Sequence, residues 1–161
     1  MKLSQLHEQE ERSVLSVMGE QDAHIDGSFV CDNKQLTSLV GAPTSVGGNF
    51  YSNYSKLTSL VGAPTEVGGN FHCSNNKLTS LAGIHKQIKK ISGMFSAAGN
   101  PRLKSNLLGL LLIDGITEIE IDDEEIAVIL NRHLLQPNKK LAMLQCQQEL
   151  IEAGFDEAAQ L

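Results

Sequence analysis

A period of 21 residues governs the middle of the chain. LTSLVGAPTSVGGNF at residues 36–50 returns as LTSLVGAPTEVGGNF at 57–71, and Leu36, Leu57 and Leu78, Leu39, Leu60 and Leu81, and Gly41, Gly62 and Gly83 all keep step. Backward by the same interval, IDGSFVC (25–31) aligns with VGGNFYS and VGGNFHC as a degenerate first copy. Forward, ISGMF (91–95) matches VGGNF only after three extra residues within IHKQIKK. One such unit cannot bury its own apolar side, so units of this kind are stable only when stacked on one another. The chain is therefore expected to fold as a solenoid.

Written as one unit, the repeat runs FxCxxNxLTSLxGAPxxVGGN. Phe71, Cys73, Asn76, Leu78 and Leu81 fit the template LxLxxNxLxxL, and a 21-residue period lies within the ~20–29 residues of that class. Over roughly residues 25–121 the sequence resembles short leucine-rich repeats of the bacterial and phage (prophage) type. The fold class implied is an α/β repeat solenoid of about five stacked 21-residue turns with short parallel strands. The template asparagine is present at Asn76 and Asn100 but is Lys34 and Ser55 in earlier turns, so a complete asparagine ladder is not expected.

Strand side chains alternate in direction. Phe29, Phe50, Phe71 and Phe95 should accordingly form one internal column, with Cys31, Ser52, Cys73 and Ala97 beside it. The paired leucines close the core from the next side. Gly47-Gly48 and Gly68-Gly69 are expected to supply backbone angles that other residues resist.

The flanks differ from the repeats. Leu3, Leu6, Val14, Leu15 and Met18 mark an N-terminal helical cap over residues 1–24. After a fifth strand with Ile119 and Ile121 inward, a C-terminal cap is expected over 122–161, all within a single domain 1–161. Its first helix starts at an Asp122/Glu125 capping box and carries Ile126, Ile129, Leu130, His133 and Leu134 on one face. Its second presents Leu141, Leu144 and Ile151 and stops near Gly154, and a short DEAAQL helix would make a third. Caps of this kind keep core and strand edges at the ends of a solenoid out of water.

Charge excludes some functions. The net charge is −6, but residues 25–101 carry six Lys/Arg against three Asp/Glu, while 1–24 carry two against five and 102–161 five against eleven. That is no footprint for general nucleic-acid binding. No stretch approaches a membrane span and the start is too polar for a signal peptide, so a cytoplasmic protein with no membrane association is expected.

Motifs for catalysis are not found. "GAPTSVGG" lacks the Lys-Ser/Thr ending of a phosphate-binding loop. Cys31 and Cys73 sit two turns apart, about 9.6 Å at 4.8 Å per strand, beyond disulfide reach, and Cys146 has no evident partner. The histidines lack ligand spacing, and the acidic run Glu118 to Glu125 lacks calcium-loop spacing. Neither metal nor cofactor is expected.

The outer strand face remains. Its residues are expected to be Ser28, Asn49, Asn70 and Met94, then Val30, Tyr51, His72 and Ser96, then Asp32, Asn53 and Ser74, with Tyr54 extending it. Solenoids present such faces to proteins and peptides. Tyr51, Tyr54, His72, Met94, Asn49 and Asn70 are the candidate partner-binding residues, and Lys86, Lys89 and Lys90 in the inserted loop 84–90 are a second set suited to an acidic partner. The oligomeric state is left open. The expected function is that of a non-enzymatic protein-binding scaffold. The repeats and the CQQELIEAGF-type tail look like those of small phage or prophage proteins, which implies a modulator or inhibitor of a host defence or regulatory protein. The alternative is a small-ligand-binding protein or enzyme using the repeat face.

Overall fold

Each turn of the coil lays down two short strands, and successive turns align them in register. The computed structural model describes residues 11–161. One ladder consists of β1 (His24–Ile25), β3 (Ser45–Val46), β5 (Glu66–Val67) and β7 (Lys90–Ile91); the other of β2 (Phe29–Val30), β4 (Phe50–Tyr51), β6 (Phe71–His72), β8 (Met94–Ser96) and β9 (Glu118–Glu120). Every pairing is parallel. The protein is a parallel-strand β-solenoid of about five turns, with helices. Phe29 pairs with Phe50 and Phe50 with Phe71, 21 residues on each time. Phe71 then pairs with Phe95 and Phe95 with Ile119, 24 residues on each time.

The phenylalanines do form one internal column. Their rings stack at centroid distances of 5.8, 4.9 and 5.6 Å, so each inner ring is sandwiched by its copies above and below. Cys31, Ser52, Cys73 and Ala97 are buried beside them, as are the paired leucines. Burial of this kind removes ring and branched-chain surface from water at roughly 25 cal/mol per Å².

The β1–β3–β5–β7 ladder was not anticipated. Its strands are two residues long, and β3 and β5 lead straight into glycine pairs and read as turns, yet Val46, Val67 and Ile91 are buried and hold one position. The glycine pairs also serve a purpose other than the expected one. None of Gly47, Gly48, Gly68 and Gly69 has positive φ. A Cβ on Gly68 would instead lie 2.1 Å from the Gly47 carbonyl oxygen, and one on Gly47 2.3 Å from that of Asp26. These glycines let successive turns approach at the corner between the ladders. Positive φ falls on Gly41, Gly62 and Gly83, the first residue of each GAP or its equivalent.

Asn76 and Asn100 are buried and fully engaged. Asn76 Nδ2 donates to the Ser52 and Cys73 carbonyls while its Oδ1 accepts from Leu57 N. Asn100 repeats the pattern one turn on, with Leu78 N. Where the template asparagine is missing, Ser55 Oγ is buried without a hydrogen-bond partner among the described residues.

At the front, α1 (Val14–Met18) is fixed by a Ser13/Ser16 capping box, with Val14 buried and Leu15 N bonded to the Val40 carbonyl. Leu15 itself is exposed rather than inward; Leu3 and Leu6 lie outside the described residues. The inserted segment is structured: Ile84 and Ile88 are buried, and α2 (Ile84–Gln87) leads into β7. After a 3-10 helix at Leu108–Leu112 come β9, α3 (Glu124–Leu134) and α4 (Lys139–Glu152).

The α3 face is as expected, but its N-cap is Asp123, which accepts from Ile126 N; Asp122 accepts from Gly99 N instead. The α4 face is reversed. Ala142, Cys146 and Leu150 point inward, whereas Leu141, Leu144 and Ile151 are about half exposed. The small residues at 142 and 146 suit close packing, and α4 packs against α3 and the 3-10 helix. DEAAQL is a turn, not a helix; it folds back so that Glu157, Ala158 and Gln160 carbonyls accept from Asn106, Leu107 and Leu108.

Candidate interaction surface

Alternation along β2, β4, β6 and β8 turns a second set of side chains outward from the phenylalanine column. On its near side, Asn49 N donates to Ser28 Oγ (3.0 Å), Asn70 N to Asn49 Oδ1 (2.8 Å) and Met94 N to Asn70 Oδ1 (2.9 Å). On its far side, Asn53 N donates to Asp32 Oδ1 and Ser74 N to Asn53 Oδ1. These side chains brace one turn against the next. Asn49 and Asn70 thus spend their acceptors on the framework.

Between the two braces runs the column Val30, Tyr51, His72, Ser96 and Glu120. The Tyr51 and His72 rings lie 4.9 Å apart and within 2° of parallel. Asn49 Nδ2 donates to Tyr51 Oη at 2.8 Å, which fixes the phenol ring against the face. Val30 is largely exposed at one end of the stack. At the other, Ser96 is buried; its hydroxyl donates to the Glu120 carboxylate and bonds Ser74 Oγ. The result is a preformed aromatic platform with an apolar edge and an acidic one.

Tyr54 is set apart by its backbone. Asn33, Tyr54 and Asn75 occupy one repeat position, 21 residues apart, with φ of 57°, 52° and 56°, and each donates its N–H to the following turn. The corresponding residue after the insertion is Gly99, φ 75°. Asparagine and glycine tolerate this left-handed conformation; a tyrosine there costs about 1–2 kcal/mol. Its side chain is 60% exposed, so no burial offsets that cost.

The structure brings Tyr51, His72, Asn49, Asn70 and Met94 onto one ladder, with Tyr54 in the turn that leaves β4. Lys86, Lys89 and Lys90 belong to the side of the other ladder. Lys90 stands in β7, its backbone in parallel register with Glu66 on one side and Asp114 on the other, and Lys89 Nζ donates to the His85 carbonyl. Lys86 lies on α2. Burial, with Lys86 and Lys89 nearby, holds the His85 imidazole below its ordinary range, so the segment's positive charge comes from its lysines. Lys139 bonds Asp114 at 2.9 Å and, with Lys90, keeps that carboxyl below the usual carboxylate range. Of the cations on this side Lys139 is paired with a carboxylate, while Lys86, Lys89 and Lys90 have no ion pair among the described residues.

The thiols are inert by position. Burial pushes Cys31 and Cys146 up to about 12 and Cys73 higher still. No helix among the described residues is long and apolar enough to cross a membrane. No protein-family model matches the chain, and no curated protein or solved structure is significantly similar to it.

The conformational cost at Tyr54 escaped the sequence reading, although its signal was present. Aligning the repeats places Tyr54 where the other turns have Asn33, Asn75 and Gly99.

Proposed function

We propose that the chain is a non-enzymatic protein-binding solenoid of the leucine-rich type, and that the Tyr51–His72 platform with Tyr54 is its docking face. The observation that carries this reading is Tyr54, an exposed aromatic kept in a left-handed turn where three other repeats use asparagine or glycine, at Asn33, Asn75 and Gly99. Strain without a structural return is characteristic of functional positions. The neighbouring platform adds rigid, amphipathic rings of the kind that concentrate binding energy at protein interfaces. α1 at the front and α3 and α4 at the back act as caps, leaving the face between them open. In this reading the protein works in the bacterial cytoplasm, docking on a host defence or regulatory protein of phage-infected cells and changing its activity.

The test is affinity capture from bacterial lysate with the wild type and with Tyr51→Ala/His72→Ala, alongside a charge-reversed Lys86/Lys89/Lys90 variant. The double alanine variant should keep its melting temperature and lose capture by at least about tenfold, equivalent to ~1.4 kcal/mol. Full capture by that variant, with loss in the charge-reversed one, moves the docking site to the inserted segment and contradicts this reading.

A further inference from the structure

The third side of each turn, which carries no strand ladder, holds two adjoining cavities of about 580 and 510 Å³. They share Thr58 and Lys77 and so form one groove along the stack. Lys56, Lys77 and Arg102 line it across three turns, Arg12 stands at its front, and Thr37, Thr58 and Thr79 place hydroxyls between them. Glu11 is the single carboxylate among the described lining residues. Among the described residues three Lys/Arg side chains are ion-paired: Lys104 meets Asp123, Arg132 meets Glu149, and Lys139 meets Asp114. Lys56, Lys77 and Arg102 have no ion pair among the described residues. In a chain of net charge −6, unpaired cations gathered in a groove point to an anionic ligand.

We propose that this groove binds a short, extended acidic segment of a partner protein. Length and charge select this occupant over a nucleic acid. From Gln35 to Arg102 the groove crosses three inter-turn steps of about 4.8 Å, roughly 14 Å, which four or five extended residues span. Past Arg102 the surface turns negative, since Lys104 is tied to Asp123 and the exposed Glu124 and Glu125 follow. A long polyanion running along the stack meets that repulsion, and a short acidic segment ends before it. The groove also lacks the aromatic side chains on which unpaired bases stack. This site is separate from the Tyr51–His72 platform, and its variants leave that platform intact.

The experiment is fluorescence anisotropy of the full chain with a labelled peptide of alternating glutamate and serine, beside a lysine–serine peptide and an oligothymidylate, at low and physiological salt. The glutamate peptide should bind, more weakly as salt rises. Lys56→Glu/Lys77→Glu should weaken it at least about tenfold, while Lys140→Glu on α4 leaves it unchanged, with melting curves of both variants matching the parent. Absence of glutamate-peptide binding at low salt, or equal binding by the double variant, overturns the proposal. Tighter binding of oligothymidylate assigns the groove to phosphate chains and overturns it as well. An oligomer in sedimentation that the double variant dissociates would place a second copy's own acidic run in the groove, again contrary to the proposal.

Discussion

The two sides of the β2–β4–β6–β8–β9 ladder share one backbone and obey different rules. Inward, the column reads Phe29, Phe50, Phe71, Phe95 and Ile119; outward, it reads Val30, Tyr51, His72, Ser96 and Glu120. Packing demands that each inner residue fit its copies above and below, so the inner column repeats. The outer column has no such neighbour constraint beyond the asparagine braces, and it varies. Repetition marks what holds the coil together, and departure from it marks what is free to recognise something else.

The sharpest way to break this comparison is on the inner side. Phe71 is fully buried between two stacked rings, and Phe71→Ala should cost about 3–5 kcal/mol in chemical unfolding, as buried aromatic truncations do. A variant that unfolds like the parent would show that the column is not the core. His72→Ala, next in sequence and on the other side, should leave the unfolding curve nearly unchanged.

Alkaline titration probes the inner side more gently. Burial raises the Cys31 and Cys146 thiols from an ordinary value of 9.0 to about 12. A raised folded-state value means that the stability from these neutral thiols is complete below about pH 9, where the unfolded chain also holds its protons. It is lost as pH climbs toward 12, by up to ~1.4 kcal/mol per pH unit for each thiol. Cys73→Ala, which copies Ala97 at the same repeat position, should make the decline shallower. Unfolding curves recorded from pH 8 upward would show it; identical slopes for variant and parent would count against thiol burial as the cause.

How far the sequence announced all this depends on how many copies of a feature it holds. The phenylalanine and leucine columns were legible because each position recurs three or four times, and Asn76 and Asn100 stood out against the same template. The first ladder was not, since strands of two residues leading into Gly47-Gly48 or Gly68-Gly69 look like turns until the stacked Val46, Val67 and Ile91 are considered together. Single-copy parts fared worst. In α4 two apolar faces competed, and bulk favoured Leu141, Leu144 and Ile151. Close packing chose Ala142, Cys146 and Leu150. On the outer face, alternation correctly grouped Tyr51 with His72, but not the burial of Ser96, which depends on Glu120 two dozen residues away.

The smallest predicted energy carries the most weight. Tyr54→Asn restores the residue that the preceding and following turns place at this left-handed position, so it should relieve strain and raise stability by roughly 0.5–1 kcal/mol. The same substitution removes the exposed ring and should reduce partner capture. Measuring melting temperature and capture together on this one variant therefore tests whether the chain keeps an unfavourable residue for the sake of recognition. A more stable protein that captures less is the predicted result. A less stable protein, or one that captures its partner as well as the wild type, would contradict it.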